Sequence, residues 1–393
     1  MNEKNAKEIS MSGKEKLRFH LLGVPHIPTT REYSVCAYTQ KVIKLAAMLK
    51  DLGHEVHFYG GEGSDVPCDT FTAVVSDATR KRVYGDYDWR TEFFKADPND
   101  EVHREFNKRT IQALQKTFLH KDFLLCSMGS HQKKIAESIG ERGIVIEPGI
   151  GYTGIFSKYR VFESYAWMHY LYGENRQGDG SWYDAVIPNY FDPTEFEFSD
   201  TKDDYYLFIG RLIYRKGLDV AVEVTKHLGK KLIVAGQGSL INPNERLNIT
   251  DPHVEHIGSV GPEERSKLMS RARAVFAPTY YIEPFGGVAV EAQMCGTPVI
   301  TSDFGAFTET VLHGVTGYRC RTLDDFVFAS ENVDKLSYRT IRQWAVNNYS
   351  MDRIKLMYDE YFHKVYNIWE KGWYEMSGER KELDWLVKYL PAS

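Results

Sequence analysis

Cysteine is scarce: Cys36, Cys68, Cys126, Cys295 and Cys320 are the only five in 393 residues. None forms a Cys-x-x-Cys pair, which argues against both a disulfide framework and a cysteine zinc site. Free thiols in a reducing cytosol, and hence a cytoplasmic protein, are expected. No run approaches the roughly 18 apolar residues of a membrane span. Met1–Lys16 lacks the apolar core of a signal peptide and is expected to be a mobile tail. Neither sign of charge dominates: 49 Lys and Arg against 54 Asp and Glu leave a net −5. That excludes a polybasic protein that binds by neutralising many phosphates, though not a local basic groove. Internal repeats and low-complexity tracts are also missing, which excludes solenoids and linker-like chains.

What is present is the composition of a globular protein. Hydrophobic residues make up 42% and charged residues 26%, enough to bury a large core. The length allows two to three domains. Aromatics reach 13%, and most of them are expected to fill cores.

Short apolar runs alternate with longer periodic segments. Leu17–Val24, Glu55–Tyr59, Phe71–Val75, Phe123–Ser127 and Ile144–Ile146 read as strands. Tyr33–Leu52, Asp100–Phe118 and Ser130–Ile139 read as helices. The pattern restarts with a strand at Tyr205–Ile209, a helix at Lys216–Leu228 and a strand at Lys231–Ala235. Val254–Val260, Pro262–Ala272, Ala274–Pro278, Gly286–Cys295 and Pro298–Thr301 continue it. Such alternation implies two doubly wound parallel α/β sheets. Pro188–Pro193 and the acidic stretch Glu195–Asp204 mark the hinge between them. Ser337–Trp385 reads as two or three amphipathic helices. Ligands of doubly wound sheets sit beyond the carboxyl ends of the strands, so the site is sought in those loops, facing a cleft.

Three loops carry chemistry. Gly210-Arg211-Leu212-Ile213-Tyr214-Arg215-Lys216-Gly217 follows a strand and projects two cations, Arg211 and Lys216, from one turn. A planar fork beside a point charge suits a diphosphate; the plainer alternative, a solvated basic turn at a helix start, opposes the helix dipole. Glu283-Pro284-Phe285-Gly286-Gly287 opens a helix that carries Glu291. The helix start offers free N–H groups, and a carboxylate on so apolar a helix needs hydrogen-bond donors, such as sugar hydroxyls, or a neighbouring cation. Gly305-Ala306-Phe307-Thr308-Glu309 adds a third loop on the same rim.

In this order, with Gly236-Gln237-Gly238, Pro278-Thr279, Gly296-Thr297-Pro298 and the linker Ile187-Pro188-Asn189, the loops resemble the family-four retaining nucleotide-sugar glycosyltransferases of GT-B fold. The resemblance implies two Rossmann-like domains facing across a cleft: residues 17–190 for the acceptor and 191–349 for the donor. It further implies C-terminal helices, about 350–393, returning to the first domain. Gly210, Arg211 and Lys216 would hold the donor diphosphate, and Glu291 the ribose hydroxyls. Glu283 would bond the donor sugar beside the N–H groups of Phe285, Gly286 and Gly287. Gly258–Val260 would border the base. The implied reaction moves a hexose from a UDP- or GDP-sugar, without metal or other cofactor, to a glycan, a lipid-linked sugar or, as a lesser branch, a nucleic acid. Peripheral contact with a membrane is compatible with that acceptor range. A nucleotide-sugar epimerase or hydrolase is the alternative within the fold; a non-enzymatic binding protein is opposed by the intact Arg211, Lys216, Glu283 and Glu291.

The first half departs from that pattern. Its first loop reads Gly23-Val24-Pro25-His26-Ile27-Pro28-Thr29-Thr30, with prolines where the family has glycines, leaving Thr29 or Thr30 to meet the phosphate. His131 is the candidate catalytic histidine; the alternative is that it caps the following helix. Glu147-Pro148-Gly149-Ile150-Gly151-Tyr152 is expected as a cleft-facing loop, with Tyr152 on the acceptor side. That loop, Phe162–His169 and Tyr38–Lys41 resemble glycosyltransferases of phage and giant-virus genomes. Arg80–Lys134 carries an excess of basic residues interleaved with Tyr84, Tyr87, Trp89, Phe93 and Phe94, which reads either as a surface for an anionic acceptor or as a solvated helix face over core aromatics.

Overall fold

The computed structural model describes residues 15–33, 36–88, 92 and 94–369. The first half runs β1 (Arg18–Leu22), α1 (Ala37–Asp51), β2 (Glu55–Gly61), β3 (Thr70–Val75), α2 (Asp77–Tyr84), α3 (Glu101–Thr117), β4 (Phe123–Leu125), α4 (Lys133–Ile139), β5 (Ile144–Ile150), β6 (Tyr159–Phe162), α5 (Tyr165–Glu174) and β7 (Asp184–Val186). These strands form one parallel sheet in the order β3-β2-β1-β4-β5-β6-β7. Central strands such as Phe19-His20-Leu21-Leu22 are buried on both faces, as a sheet covered by helices requires.

The second half runs β8 (Tyr205–Ile209), α6 (Leu218–His227), β9 (Lys231–Ala235), the hairpin β10 (Ile241–Asn242) and β11 (Leu247–Asn248), and β12 (Val254–Gly258). It continues through α7 (Pro262–Arg271), β13 (Val275–Ala277), α8 (Gly287–Met294), β14 (Val299–Ser302), α9 (Phe307–Thr310), β15 (Gly317–Cys320), α10 (Leu323–Asn332), α11 (Tyr338–Tyr349) and α12 (Met351–Ile368). Its main sheet is parallel, in the order β12-β9-β8-β13-β14-β15. The strand order therefore reverses between β1 and β4 in the first sheet and between β8 and β13 in the second. The carboxyl ends at those two switch points are where such sheets receive ligands.

Several sequence readings shift on contact with the structure. The helix expected from Lys216 begins at Leu218, because Tyr214–Lys216 is a tight 3-10 turn closed by Gly217 in the left-handed region (φ 71°). A Cβ there would lie 2.0 Å from the carbonyl oxygen of Pro278, so only glycine fits. Glu147–Ile150, expected as a loop, is the irregular end of β5, whose register shifts across Pro148-Gly149. Glu15, expected in the mobile tail, is held: its carbonyl lies 3.1 Å from His363 Nε2 and its carboxylate accepts from Tyr366. Trp89 and Phe93 and the segment 370–393 lie outside the described residues. Among those described, no helix is long and apolar enough to cross a membrane.

The chain returns to the first half through α12. Its Ile354, Tyr358, Tyr361, Phe362 and Val365 join the core of Phe19, Leu45, Leu49 and Phe123. Phe362 packs against Phe19 and Phe123 with ring centroids 4.8 and 5.6 Å apart. A polar pin sits beside this contact. Leu17 N–H donates to His54 Nδ1, whose Nε2 lies 3.2 Å from Asp359 Oδ1. His363 Nδ1 lies 3.0 Å from the same oxygen. His54, Asp359 and His363 are close enough to share a metal ion. The ring nitrogens of both histidines, however, are engaged by protein partners, which makes the group a structural link.

Both nitrogens of His363 face acceptors, so the imidazolium is favoured and its pKa is raised, chiefly by the bond to Asp359. A raised folded pKa contributes stability that is complete below the unfolded value near 6.5 and is lost as pH climbs through the folded value. Asp359→Asn is therefore expected to lower the urea midpoint most below pH 6.5, with the gap from wild type narrowing at higher pH. A gap independent of pH would contradict the pin.

Candidate active site at the rim between the two sheets

The loops after β8 and β13 meet at the second switch point where Gly217 lies against Pro278, and the loop after β9 joins them because its glycine also allows close approach. A Cβ on Gly236 would lie 1.8 Å from the carbonyl oxygen of Gly210, and Gly236 sits at φ 151°. Gly210 N–H donates to Ala235 and Leu212 N–H to Gln237, fixing the turn that carries Arg211 on its exposed side. The next residues are held from the loop after β13: the Thr279 hydroxyl and the Tyr280 N–H both donate to the carbonyl of Arg215.

This clamp brings Lys216 to Glu283. Lys216 Nζ donates to Glu283 Oε1 at 2.6 Å and to the Tyr281 hydroxyl at 3.2 Å; that hydroxyl in turn donates to Glu283 Oε2 at 2.8 Å. Glu283 is only 7% exposed, which rejects the surface reading for it. Burial first, and the Glu283 charge second, push the Tyr281 phenol up, so it remains a donor at neutral pH. Arg215 and Lys216 both lie over the Tyr281 ring, at 4.4 and 5.0 Å. The cation and the carboxylate that the sequence assigned to separate parts of a ligand are thus one ion pair.

Glu283 leads into α8. Gly286 is left-handed (φ 72°), and a Cβ would strike Phe307 at 2.3 Å. The Phe285 side chain is buried against Phe191 and Tyr349, so only its backbone faces the rim. Glu291, further along α8, pairs with Arg265 of α7 at 3.1 Å, which is the neighbouring-cation outcome. Gly287, Glu291, Arg265 and the start of α7 form one wall of a cleft of about 1130 Å³, and Gln40, Lys41 and Lys44 of α1 form the opposite wall.

The first half is latched onto this rim. Ser164 caps α5 and donates its hydroxyl to the carbonyl of Pro284 at 2.6 Å. The next two N–H groups, of Tyr165 and Ala166, donate to the Glu309 carboxylate at 2.9 and 2.8 Å. A carboxylate at a helix N-terminus is favourable, although burial, the largest influence, raises its pKa. Lys41 meanwhile pairs with buried Glu163 and donates to the carbonyl of Gly149. Sequence reasoning marked the Glu309 loop and the segments Phe162–His169 and Tyr38–Lys41, but gave Ser164 and Lys41 no role and did not pair them with the rim.

Other expected residues fall elsewhere. Tyr152 is 9% exposed, inside a core with Ile150, Phe162 and Trp167, and its hydroxyl donates to Cys126 O and Glu147. It braces the end of β5 from inside that core, where the sequence reading has it facing the cleft. The Thr29 hydroxyl is fully buried, that of Thr30 is buried too, and neither has a partner among the described residues. His131 sits half-buried in a 3-10 turn after β4. It caps nothing: α4 starts after Gln132, with no side-chain cap.

Residues 193–337 match the family model of glycosyl transferases group 1. Over 153 residues the chain is 33% identical to glycogen synthase of Mycobacterium tuberculosis (strain ATCC 25618 / H37Rv), covering 36% of each. Over 200 residues it is 31% identical to an uncharacterized glycosyltransferase of Methanocaldococcus jannaschii, covering 45% of this chain and 50% of the relative. The chain thus matches half or less of the length of these curated relatives. In structure it resembles sucrose-phosphate synthase of Thermosynechococcus elongatus, with TM-score 0.65 and 16% identity over 90% of this chain and 100% of the other. It also resembles Anabaena HepE in complex with UDP-glucose, with TM-score 0.61 and 15% identity over 88% and 98%. The fold is that of the GT-B glycosyltransferases.

Removing Lys216 strands a buried carboxylate. Lys216→Ala is expected to cost about 3–5 kcal/mol of stability. Adding Glu283→Gln to it should recover a large part, because the amide needs no counter-ion. Strictly additive losses in guanidinium denaturation would show that the pair is not coupled.

Proposed function

We propose that the protein is a retaining glycosyltransferase that moves a hexose from a UDP- or GDP-sugar to an acceptor hydroxyl. The observation that carries this reading is the convergence of Arg211, the Lys216–Glu283 pair and the start of α8 at the second switch point, on the rim that Ser164 and Glu309 tie to the first half. The family match over 193–337 supports it.

In this reading Gly210, Arg211 and Lys216 hold the donor diphosphate, the N–H groups of Phe285, Gly286 and Gly287 face the phosphate and sugar, and Glu283 accepts from sugar hydroxyls. When the donor enters, Lys216 exchanges part of its contact with Glu283 for a phosphate oxygen, and Glu283 turns to the sugar. Glu291 takes the ribose hydroxyls while Arg265 holds its other side. The sugar C1–O bond to the diphosphate breaks and a C1–O bond to the acceptor forms on the same face. The acceptor proton passes to a donor phosphate oxygen, releasing the nucleoside diphosphate. The enzyme's share is placement and stabilisation of charge on the leaving group, supplied here by side-chain cations and a helix start. On the carboxyl edge of the first sheet, His131 stands as the catalytic candidate, and Thr29 and Thr30 belong to the acceptor side. We assign no metal to the reaction.

Lys216→Ala and Glu291→Ala are each expected to reduce transfer by about a hundredfold or more, with the fold retained by circular dichroism. Proton NMR of the product should show the anomeric configuration of the donor, and EDTA should leave the rate unchanged. Inverted product, or full activity in both variants, would sink the assignment.

A further inference from the structure

The carboxyl edge of the first sheet holds a second polar cluster, outside the group around Lys216. Four segments build it: the loop after β1 supplies His26, α2 Arg80, the first turn of α3 His103, and the turn after β4 His131. His26, Arg80 and His103 are each more than nine-tenths buried, while half-buried His131 opens toward solvent. The His103 and His131 rings are 5.6 Å apart, and His26 lies within the electrostatic reach of His103, His131 and Arg80. Each of the four keeps one buried nitrogen with no hydrogen-bond partner among the described residues: His26 Nδ1, Arg80 Nη1, His103 Nε2 and His131 Nδ1.

Such atoms are costly when left unpaired, and protein cores rarely gather four of them. Two of the four side chains are also anchored by other groups. Arg80 Nη2 donates to the carbonyl of Glu62 and pairs with Asp77, while Nη1 packs against Gly61 at the end of β2 with no acceptor of its own among the described residues. His103 Nδ1 lies 3.0 Å from Asp100 Oδ1, leaving Nε2 forward. Asp100 is further occupied by the His103 N–H and the Tyr84 hydroxyl, so neither nearby acid is free to fill the cluster. Three imidazoles alone would suit a transition metal. A permanently charged guanidinium among them repels a cation and suits an oxyanion. The cluster also stands at the first switch point, since His26 follows β1 and His131 follows β4.

We propose that His26, Arg80, His103 and His131 bind a phosphate group carried by the acceptor substrate. The anion follows from these side chains; the word acceptor rests on the glycosyltransferase reading above. In the protein alone, burial and the neighbouring cationic groups hold His26 down to about 3 and His131 below its usual value, with Asp100 pulling the other way on His26. A phosphate supplies the missing countercharge, so binding takes up protons and tightens toward acid pH.

The test is isothermal titration of the full chain with glucose 6-phosphate, glucose 1-phosphate, inorganic phosphate and glucose, near pH 6 and pH 8, in two buffers of different ionisation enthalpy. A sugar phosphate should bind with proton uptake, about tenfold tighter near pH 6, and glucose should not bind. His103→Gln and Arg80→Lys should each weaken binding about tenfold, whereas Lys216→Ala, which removes the donor-side cation, should not. Binding without proton uptake, or unchanged in both variants, overturns the site; if a variant fails to fold, the wild-type proton count decides alone. Inorganic phosphate binding as tightly as either sugar phosphate makes this a free-anion site and overturns the acceptor assignment. UDP is titrated alongside: failure of wild type to bind UDP counts against the glycosyltransferase reading, while the proton-linked phosphate binding decides the anion site separately.

Discussion

The arrangement of this molecule depends on one stitch of backbone. Among the described residues the chain crosses between its halves twice, and the crossings lie side by side. Phe191 N–H donates to Tyr349 O and Met351 N–H to Phe191 O, each at 2.9 Å, forming an isolated parallel bridge between Phe191 and Ser350. Phe191 then stacks on Phe285, and Tyr349 packs edge-on against the same ring. The place where the halves join is therefore also the floor under the Glu283 loop. Any rotation of one half on the other moves that loop with it, and the latch from Ser164 and Glu309 sets its other edge.

The rim answers an electrostatic problem. Its half of the chain is the more acidic one, since residues 1–190 carry equal numbers of basic and acidic side chains and the deficit falls entirely on the remainder. In the proposed donor role, attraction for an anion there cannot come from net charge. It is local instead: Arg211 on an exposed turn, Lys216 held by a carboxylate and a phenol, and the start of α8. Holding Lys216 with Glu283 keeps a half-buried ammonium paired; in the donor role proposed for it, an incoming phosphate would have to compete with a carboxylate already in place.

The sequence made some of this legible and hid the rest for physical reasons. Strand–helix alternation, the glycine turns at Gly210 and Gly286, and the paired carboxylates are written in short windows, so the two sheets and the loops of the rim could be located. Partnerships are not local. Lys216 and Glu283 are 67 positions apart and His26 and His103 lie on different elements, so only the strand order brings them together. Tyr152 shows the opposite failure. An aromatic just after a strand can face the cleft or turn beneath it, and the distortion at Pro148-Gly149 that turns it inward has no signature in periodicity.

The return of α12 has a consequence for how the protein is made. Phe19 and Phe123, near the start of the chain, stack on each other and are covered by Phe362, Tyr358 and Tyr366, which emerge from the ribosome more than two hundred residues later. Until then the first sheet has its strands but not its lid, and a strip of aromatic surface stays wet. The second sheet has its own core and can close as soon as α11 is made. Synthesis and completion thus run in different orders: the half that is translated first waits for the last described helix to complete its core.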